Sequence, residues 1–205
     1  MTVNEHIEEL WDKAKREAME KRLGPMHAMI AHHAVPFEAG GMLDVYNFPQ
    51  KRGSALATLD LAAPGGETQS RDKSIEFIAF TPYRMPEMSL VDTAANRYDR
   101  TEHDLAAVFS SLAAHACDEA LEFGSVADVP DPESDGTFAV MIEDGGVLNF
   151  AGNEVQLILI VLITQAELVF ARRQGSGPLR ELLESAGTWP VSDPFRRSLV
   201  TPRPS

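Results

Sequence analysis

The chain has 205 residues, of which 44% are hydrophobic and 24% charged, a composition typical of a globular domain rather than a disordered or membrane-embedded chain. Its single cysteine, Cys117, excludes an internal disulfide and fits a reducing, cytoplasmic location. Residues 1–22 are charged and lack the apolar stretch of a signal peptide, and no apolar run in the chain is long enough to cross a bilayer.

The net charge of −13 comes from one third of the chain. Residues 101–171 contain thirteen acidic side chains and no Lys or Arg, whereas the other 18 acids are balanced by 18 bases. An electrostatic field of this sign repels nucleic acid and anionic membranes and attracts a basic protein. We therefore expect neither nucleic acid nor membrane among the partners; solubility alone is the alternative explanation of the charge.

The hydrophobic pattern and the turn residues predict a series of helices and strands. The first half is predicted to contain a helix over residues 2–23, strands over 26–34, 43–48, 55–61 and 75–80, and a loop over 83–100. A long helix from 101 to about 124 and an acidic loop over 127–136 follow. The last part is predicted to contain a strand over 138–142, a turn at 145–146, a strand over 157–163, and two short helices that end at 175 and 187. The short links between the strands of residues 43–80 favour antiparallel pairing.

The clearest signal is the run of Leu, Ile and Val at residues 157–163, which is typical of a strand that is buried on both faces. A helix start follows at once, because Thr164 and Glu167 have the spacing of a capping box. Gly175 is expected to end that helix in a left-handed conformation. At the other end of the chain, Thr2 and Glu5 predict a second capping box.

Together these elements predict an α+β fold with a mixed, largely antiparallel central sheet flanked by helices, in one domain spanning residues 1–205. Eight apolar residues are predicted to share one core: Leu105, Phe109, Leu112, Leu157, Leu159, Val161, Leu168 and Leu182. Cys117 is expected to be buried and inert on the long helix.

No catalytic constellation stands out in the sequence. His27, His32 and His33 lie close together, but no further ligand follows at a recognised metal spacing, and adjacent residues of a strand point to opposite faces. We therefore predict no metal, no cofactor and no catalytic residue. The alternative is an unrecognised hydrolase or metal-dependent enzyme that uses these three histidines.

Several segments resemble the suppressor-of-fused-like domain family over about residues 22–200. They are LDVYNFP at 43–49, GSALATLDLA at 53–62, IEFIAFTP at 75–82, VQLILIVLIT with AELVFARRQG at 155–175, LRELLE at 179–184 and RRSLV at 196–200. One departure is Asp60, since the family often has Thr-x-Gly where this chain has Thr58, Leu59 and Asp60. The resemblance implies a non-catalytic protein-binding module: animal members grip an extended peptide of a transcription factor, and bacterial members resemble immunity proteins that block toxins. This acidic chain fits the bacterial type.

The resemblance also points to a contact surface, because the animal member takes its peptide next to the strand that corresponds to residues 138–142. We predict that this strand lies near a sheet edge, where it accepts an added strand from a basic partner. The alternative is that the strand is fully paired inside the sheet and that the acidic loop only keeps the protein soluble. The predicted contact residues are Asp131, Glu133, Asp135, Phe138, Val140, Glu143 and Asp144.

Overall fold

The computed structural model of the chain describes residues 3–28, 30–31, 41–62, 74–85, 93–132 and 134–200. Its helices are α1 (Val3–Leu23), α2 (Thr93–Asp118), α3 (Gln165–Gln174) and α4 (Ser176–Ser185). Its strands are β1 (Ile30–Ala31), β2 (Val45–Pro49), β3 (Ser54–Ala57), β4 (Ile75–Thr81), β5 (Ser125–Pro130), β6 (Thr137–Phe150) and β7 (Asn153–Ile163). The cap predicted at Thr2 and the histidines at 32 and 33 lie outside the described residues.

Within the described ranges, the seven strands form one sheet in the order β1-β2-β3-β4-β7-β6-β5. All neighbours pair antiparallel except β4 and β7, which pair in parallel from Ile75 opposite Gln156 to Ile78 opposite Leu159. The predicted mixed, largely antiparallel sheet is therefore confirmed. So are the antiparallel pairing of β2, β3 and β4 and the interior position of β7.

The sheet separates two apolar clusters, so the prediction of one shared core was wrong. Leu157, Leu159 and Val161 of β7 pack with α1, α3 and α4 on one face, while the alternating residues Ile158 and Ile160 pack with α2 on the other. A strand covered on both faces needs apolar residues at every position, which explains the unbroken run in β7.

Leu182 was also assigned wrongly, because its side chain is 39% exposed. On α4, the residues that reach the sheet are Leu179 and Leu183, which are four positions apart and therefore share one helix face. Leu182 is turned away from that face by one residue, about 100° around the helix axis.

Helix α2 begins at Thr93, eight residues before the predicted N-cap at Thr101. Thr101 is buried inside the helix, and its hydroxyl donates to the Arg97 carbonyl oxygen at 2.8 Å. This bond to the preceding turn satisfies the hydroxyl without ending the helix. The predicted loop over residues 83–100 was therefore wrong for residues 93–100, and the predicted helix end near Gly124 was wrong, since α2 occupies 93–118.

The region predicted as an acidic loop begins in a strand: residues 127–130 belong to β5, while 131–132 and 134–136 lie in the connection to β6. Residues 125–130 form β5, paired with β6 from Ser125 opposite Ile142 to Pro130 opposite Thr137. The predicted turn at 145–146 is a β-bulge inside the long strand β6, where the register with β7 shifts between Asp144 and Gly146. A side chain at Gly145 would bring its Cβ within 2.8 Å of the Leu157 carbonyl oxygen, which explains the glycine.

A buried ion pair between Lys15 of α1 and Glu76 of β4, 3.1 Å apart, fastens the N-terminal helix to the sheet. Glu76 also accepts hydrogen bonds from the Thr58 hydroxyl at 2.6 Å and the Ala62 N–H at 3.0 Å. Beside this pair lies Asp60, the residue that departs from the Thr-x-Gly pattern. Burial, together with the nearby Glu76 carboxylate, raises the pKa of Asp60 to about 6.

The two-cluster core makes a paired prediction about stability. Leu157→Ala removes a fully buried side chain, so we expect it to lower the free energy of unfolding by about 3 kcal/mol and the Tm by roughly 6–12 °C. Leu182→Ala, the matched substitution at an exposed position, should change it by less than about 1 kcal/mol. Thermal and urea unfolding measure both values, and equal losses in the two variants would contradict the assignment.

Candidate protein-interaction site

A groove of about 240 Å³ lies at the C-terminal end of β7. Residues 137–139 of β6, residues 162–165 at the junction of β7 and α3, and residues 193–194 line it. We call it the β6–β7 groove. Phe138 and Leu162 contribute apolar surface and belong to the cluster on the α2 face of the sheet. The groove is therefore continuous with the core and ends in polar side chains at its rim.

One side of this groove is held by hydrogen bonds around Asp128 of β5. The Thr137 hydroxyl donates to Asp128 at 3.0 Å, and the Gln165 side-chain amide donates to Asp128 and to the Thr137 oxygen, each at 3.1 Å. Arg172 of α3 adds an ion pair to the same carboxylate at 3.1 Å. The hydrogen bond from Gln165, with help from Thr137 and Arg172, lowers the pKa of Asp128, which keeps this carboxylate ionised.

The opposite side is built from the segment that follows α4. Asp193 accepts hydrogen bonds from the Tyr83 hydroxyl at 2.7 Å and from the Phe195 N–H at 2.9 Å. The Tyr83 and Phe195 rings meet edge to face at 5.9 Å, and the Arg97 guanidinium lies 5.4 Å from the centre of the Phe195 ring. Phe195 remains 46% exposed. A partly exposed aromatic beside a cation and a carboxylate is a composition favoured at protein interfaces.

Ser192 anchors this segment in the sheet. Its N–H donates to the Phe80 carbonyl oxygen at 2.7 Å, and its hydroxyl oxygen accepts from the Leu162 N–H at 2.9 Å. Ser192 is fully buried and fills the space between the C-terminal ends of β4 and β7. Open sheets often bind small ligands at that end of parallel strands; here the chain itself occupies the position.

The buried Glu167 of α3 holds the groove and the C-terminal segment together. The predicted capping box is confirmed: the Thr164 N–H donates to the Glu167 carboxylate at 2.9 Å, and the Glu167 N–H donates to the Thr164 hydroxyl at 3.3 Å. Arg196 binds both carboxylate oxygens at 2.6 Å, and the Leu199 N–H donates to one of them at 2.9 Å. Burial alone would raise the pKa of Glu167, but these hydrogen bonds lower it.

The predicted contact residues do not form one surface. Phe138 lines the β6–β7 groove, but Val140 is fully buried and paired on both sides, with Ala127 of β5 and Leu162 of β7. The premise that this strand lies at a sheet edge was wrong, because β6 runs between β5 and β7. Strand addition at Val140 is therefore excluded by the existing pairing.

The predicted acidic contacts are also spread out. Asp131 and Asp135 lie in the turn between β5 and β6, close to the groove, whereas Glu133 lies outside the described residues. Glu143 belongs to the opposite face and forms an ion pair with Arg180 of α4 at 3.3 Å. Asp144 lies at the bulge, where the Gly146 N–H and the Gln156 amide donate to it at 2.7 and 2.9 Å.

Sequence reasoning missed Gln165, Asp193 and Pro194, which line the groove, and the contacts among Tyr83, Arg97 and Phe195 next to Asp193. Tyr83 and Arg97 were assigned to a loop, and no element was predicted after residue 187. The relevant signal was Arg196 in the RRSLV segment, because a base downstream of a capping-box Glu can reach its carboxylate.

The acidic third of the chain is partly neutralised in the fold. Asp128, Glu143 and Glu167 each form an ion pair with an arginine that follows this part of the sequence, namely Arg172, Arg180 and Arg196, respectively. Asp131 and Asp135 of the β5–β6 turn also lie near the β6–β7 groove, since Asp131 and Gly136 are hydrogen-bonded next to Thr137. The acidic rim of the groove is therefore narrower than the sequence suggested.

The structure shows no metal-binding arrangement of three or more His, Cys, Asp or Glu side chains in its described ranges. His27 donates its backbone N–H to the Asn47 carbonyl oxygen at 2.8 Å, while His32 and His33 fall outside those ranges. The expectation that Cys117 is buried was wrong, since it lies on an exposed face of α2. None of the described helices has the length and apolarity needed to span a membrane.

Comparison with known proteins gives a consistent result. A protein-family model described as Suppressor of fused protein (SUFU) matches residues 17–197. The chain aligns with a SUFU homologue from Neisseria gonorrhoeae with a TM-score of 0.60 and 13% identity, covering 95% of this chain and 100% of the homologue. No curated protein sequence matches the chain significantly.

Two further crystal structures share the fold. The Sufu–Fu complex structure aligns with a TM-score of 0.60 and 12% identity, over 93% of this chain and 91% of the matched chain. Drosophila Suppressor of Fused aligns with a TM-score of 0.58 and 14% identity, over 91% of this chain and half of the Drosophila chain. Identities this low show the fold alone.

The position of Cys117 makes a direct chemical prediction. Because its thiol is exposed, we expect a chromogenic disulfide reagent to titrate it fully in the native protein, without denaturant. The thiol absorbance signal measures the reaction, and Cys117→Ser provides the blank. A thiol that reacts only after unfolding would contradict the exposed position.

The buried Glu167–Arg196 pair predicts a pH-dependent loss of stability. Arg196→Met leaves a buried carboxylate without its cation, so we expect the free energy of unfolding at pH 7 to fall by about 3–5 kcal/mol. In the native protein the lowered pKa of Glu167 stabilises the fold at neutral pH, and this stabilisation is lost as the pH falls through and below about 4.3. In the variant the carboxylate is protonated more easily, so the deficit should shrink between pH 7 and pH 4.

The control is Arg180→Met, which breaks the more exposed pair with Glu143 and should cost about 1 kcal/mol or less. Urea unfolding at several pH values measures both variants. Equal losses, or an Arg196→Met deficit that does not depend on pH, would show that the Glu167 network does not stabilise the fold as described.

Proposed function

The chain belongs to the suppressor of fused protein (SUFU) family, and on that premise we propose that it is a non-catalytic protein-binding module. The observation that carries the proposal is the β6–β7 groove, with its apolar floor, its acidic margin and the exposed Phe195 beside it. A relative of the same fold was crystallised in a Sufu–Fu complex. We propose that this chain likewise acts by holding another protein.

The size of the groove supports a protein partner rather than a small-molecule substrate. A volume of about 240 Å³ is below the range of about 300–1,000 Å³ that is usual for ligand pockets. It suits one or two side chains of a partner segment that lies across the rim. Burial of an aliphatic or aromatic anchor against Phe138, with Phe195 covering it, is the arrangement of an interface hot spot.

The rim favours a basic partner. The Asp128 carboxylate is kept ionised by its hydrogen bonds, and Asp131 and Asp135 lie in the adjoining turn. These charges accelerate the approach of a Lys- or Arg-rich segment, and salt weakens the effect. The polar residues that line the groove are Thr137, Thr164, Gln165 and Asp193, which include no nucleophile paired with a histidine base, and this supports a binding role over a catalytic one.

More specifically, we propose an immunity protein that acts in the bacterial cytoplasm and neutralises a toxin by binding it. The concentrated negative charge supports this proposal, because a basic toxin is a suitable partner for an acidic inhibitor. No feature of the described residues favours the alternative hydrolase or metal enzyme built on His27, His32 and His33.

The proposal is tested by co-expressing the chain with the product of each gene that neighbours its own. We expect one basic product to arrest growth when it is expressed alone, and to be neutralised and co-purified by this chain. Combining Phe138→Ser with Asp135→Lys removes the anchor surface and reverses a rim charge, so binding should weaken about 30-fold or more.

The matched control combines Phe123→Ser with Glu181→Lys, which changes an exposed aromatic and an exposed acid away from the groove. This variant should bind and protect as the original chain does. If both double variants lose binding equally, the β6–β7 groove is not the contact site. If no neighbouring product arrests growth, the immunity role fails.

A further inference from the structure

A second groove, of about 490 Å³, lies on the other face of the sheet, between the C-terminal end of α1 and the bulge of β6. We call it the α1–β6 groove. Ile78 and Phe80 of β4 and Leu159 of β7 form its floor, and all three belong to or pack against the cluster on the α1 face. Phe80 is half-buried, while Ile78 and Leu159 are buried, so the floor offers a small apolar contact surface at the bottom of an open groove.

The bulge in β6 creates one wall of this groove. Gly145 has no side chain, and a Cβ there would lie 3.1 Å from the Ile78 side chain. The Arg22 guanidinium donates to the Gly145 carbonyl oxygen, which joins the end of α1 to the bulge. The opposite wall includes Gln50, whose amide donates to the Leu23 carbonyl oxygen and so fixes the β2–β3 turn against α1.

Arg22 lines the groove, and four further exposed bases lie on the elements that border it: Lys21 of α1, Lys51 and Arg52 of the β2–β3 turn, and Arg84 after β4. Contacts hold these elements side by side, since Arg84 donates to the Lys51 carbonyl oxygen and Gln50 binds the end of α1. Within the part of the chain that the structure describes, none of the five forms an ion pair with an acid. Asp144 lines the groove, but it already accepts from the Gly146 N–H and Gln156.

This basic rim is unexpected in a chain with a net charge of −13. Ion pairs on the α3 and α4 side use Arg172, Arg180 and Arg196 to neutralise acids, whereas the charges of the five bases at the α1–β6 groove are not neutralised by an ion pair among the described residues. An apolar floor with a cationic rim is complementary to an anionic segment that also carries apolar side chains.

We propose that the α1–β6 groove binds an acidic peptide segment of a partner protein, with aliphatic or aromatic side chains on Ile78, Phe80 and Leu159 and carboxylates facing the five bases. A nucleic acid is disfavoured because the net charge of the whole chain repels a polyphosphate. This site is separate from the β6–β7 groove in position and in charge, so it does not depend on the function proposed above.

The test selects random twelve-residue peptides, displayed on phage, against three forms of the full chain. The groove variant is Lys51→Glu with Arg52→Glu, and the control is Lys13→Glu with Arg173→Glu, which makes the same charge change at exposed bases elsewhere. We expect peptides rich in Glu and Asp around an apolar residue to be enriched on the original chain and the control. Their enrichment should fall about tenfold or more on the groove variant, as for loss of charge complementarity at a rim.

Either of two outcomes overturns the proposal. One is no enrichment of acidic peptides on the original chain, and the other is equal enrichment on the groove variant. A third is specific binding of an oligouridylate that the groove variant loses, since this would make the site one for nucleic acid. Thermal melting confirms that each variant is folded. A further variant, Phe80→Ser, alters the apolar floor without changing the charge, and it should also reduce binding of the selected peptides. Because the growth-protection assay uses variants of the other groove, the two proposals fail independently.

Discussion

The buried Glu167 carboxylate is the interaction on which the arrangement of the C-terminal half depends. It caps α3, which starts directly after the central strand β7, and it binds Arg196 and the Leu199 N–H of the last described segment. A buried carboxylate is tolerated only when its oxygens are satisfied, and here several donors converge on it. This network holds residues 193–195 beside β7, and this segment forms one side of the β6–β7 groove. The groove therefore depends on the pairing of the buried Glu167 carboxylate with its donors.

The electrostatics of the molecule follow from where the arginines lie. The sequence alone suggests one acidic third, but the fold brings Arg172, Arg180 and Arg196 onto its acids. What remains is an acidic margin at the β6–β7 groove and a basic rim at the α1–β6 groove, on a chain whose net charge hides both. An acidic surface favours basic partners and a basic surface favours acidic ones. The net charge of the chain does not show this local distribution.

Local signals in the sequence predicted local structure well. The apolar run of β7 and the Thr164–Glu167 capping box depend on neighbouring residues, and both are present. Signals that needed distant partners misled. Thr101 has the composition of a helix cap, yet its hydroxyl binds the turn before it, and Asp128 lies in a strand rather than a loop because β6 pairs with its segment. Phe138 is the predicted contact residue that lines the β6–β7 groove. The other wall comes from residues 193–194, more than 50 positions away, which no local pattern around Phe138 could indicate.

The sheet consists of two antiparallel halves, β1–β4 and β5–β7, joined by the parallel pairing of β4 with β7. Helix α1 braces this seam: Lys15 binds Glu76 in the first half, while Trp11 packs edge to face on Phe150 in the second. During synthesis, the contact between Trp11 and Phe150 can therefore form only after roughly 140 further residues have been made. At about 5–20 residues per second this takes on the order of ten seconds or more. Helix α1 can therefore pack on the first half of the sheet early, through Ala62 and Glu76, but it completes its packing only after β6 has been made.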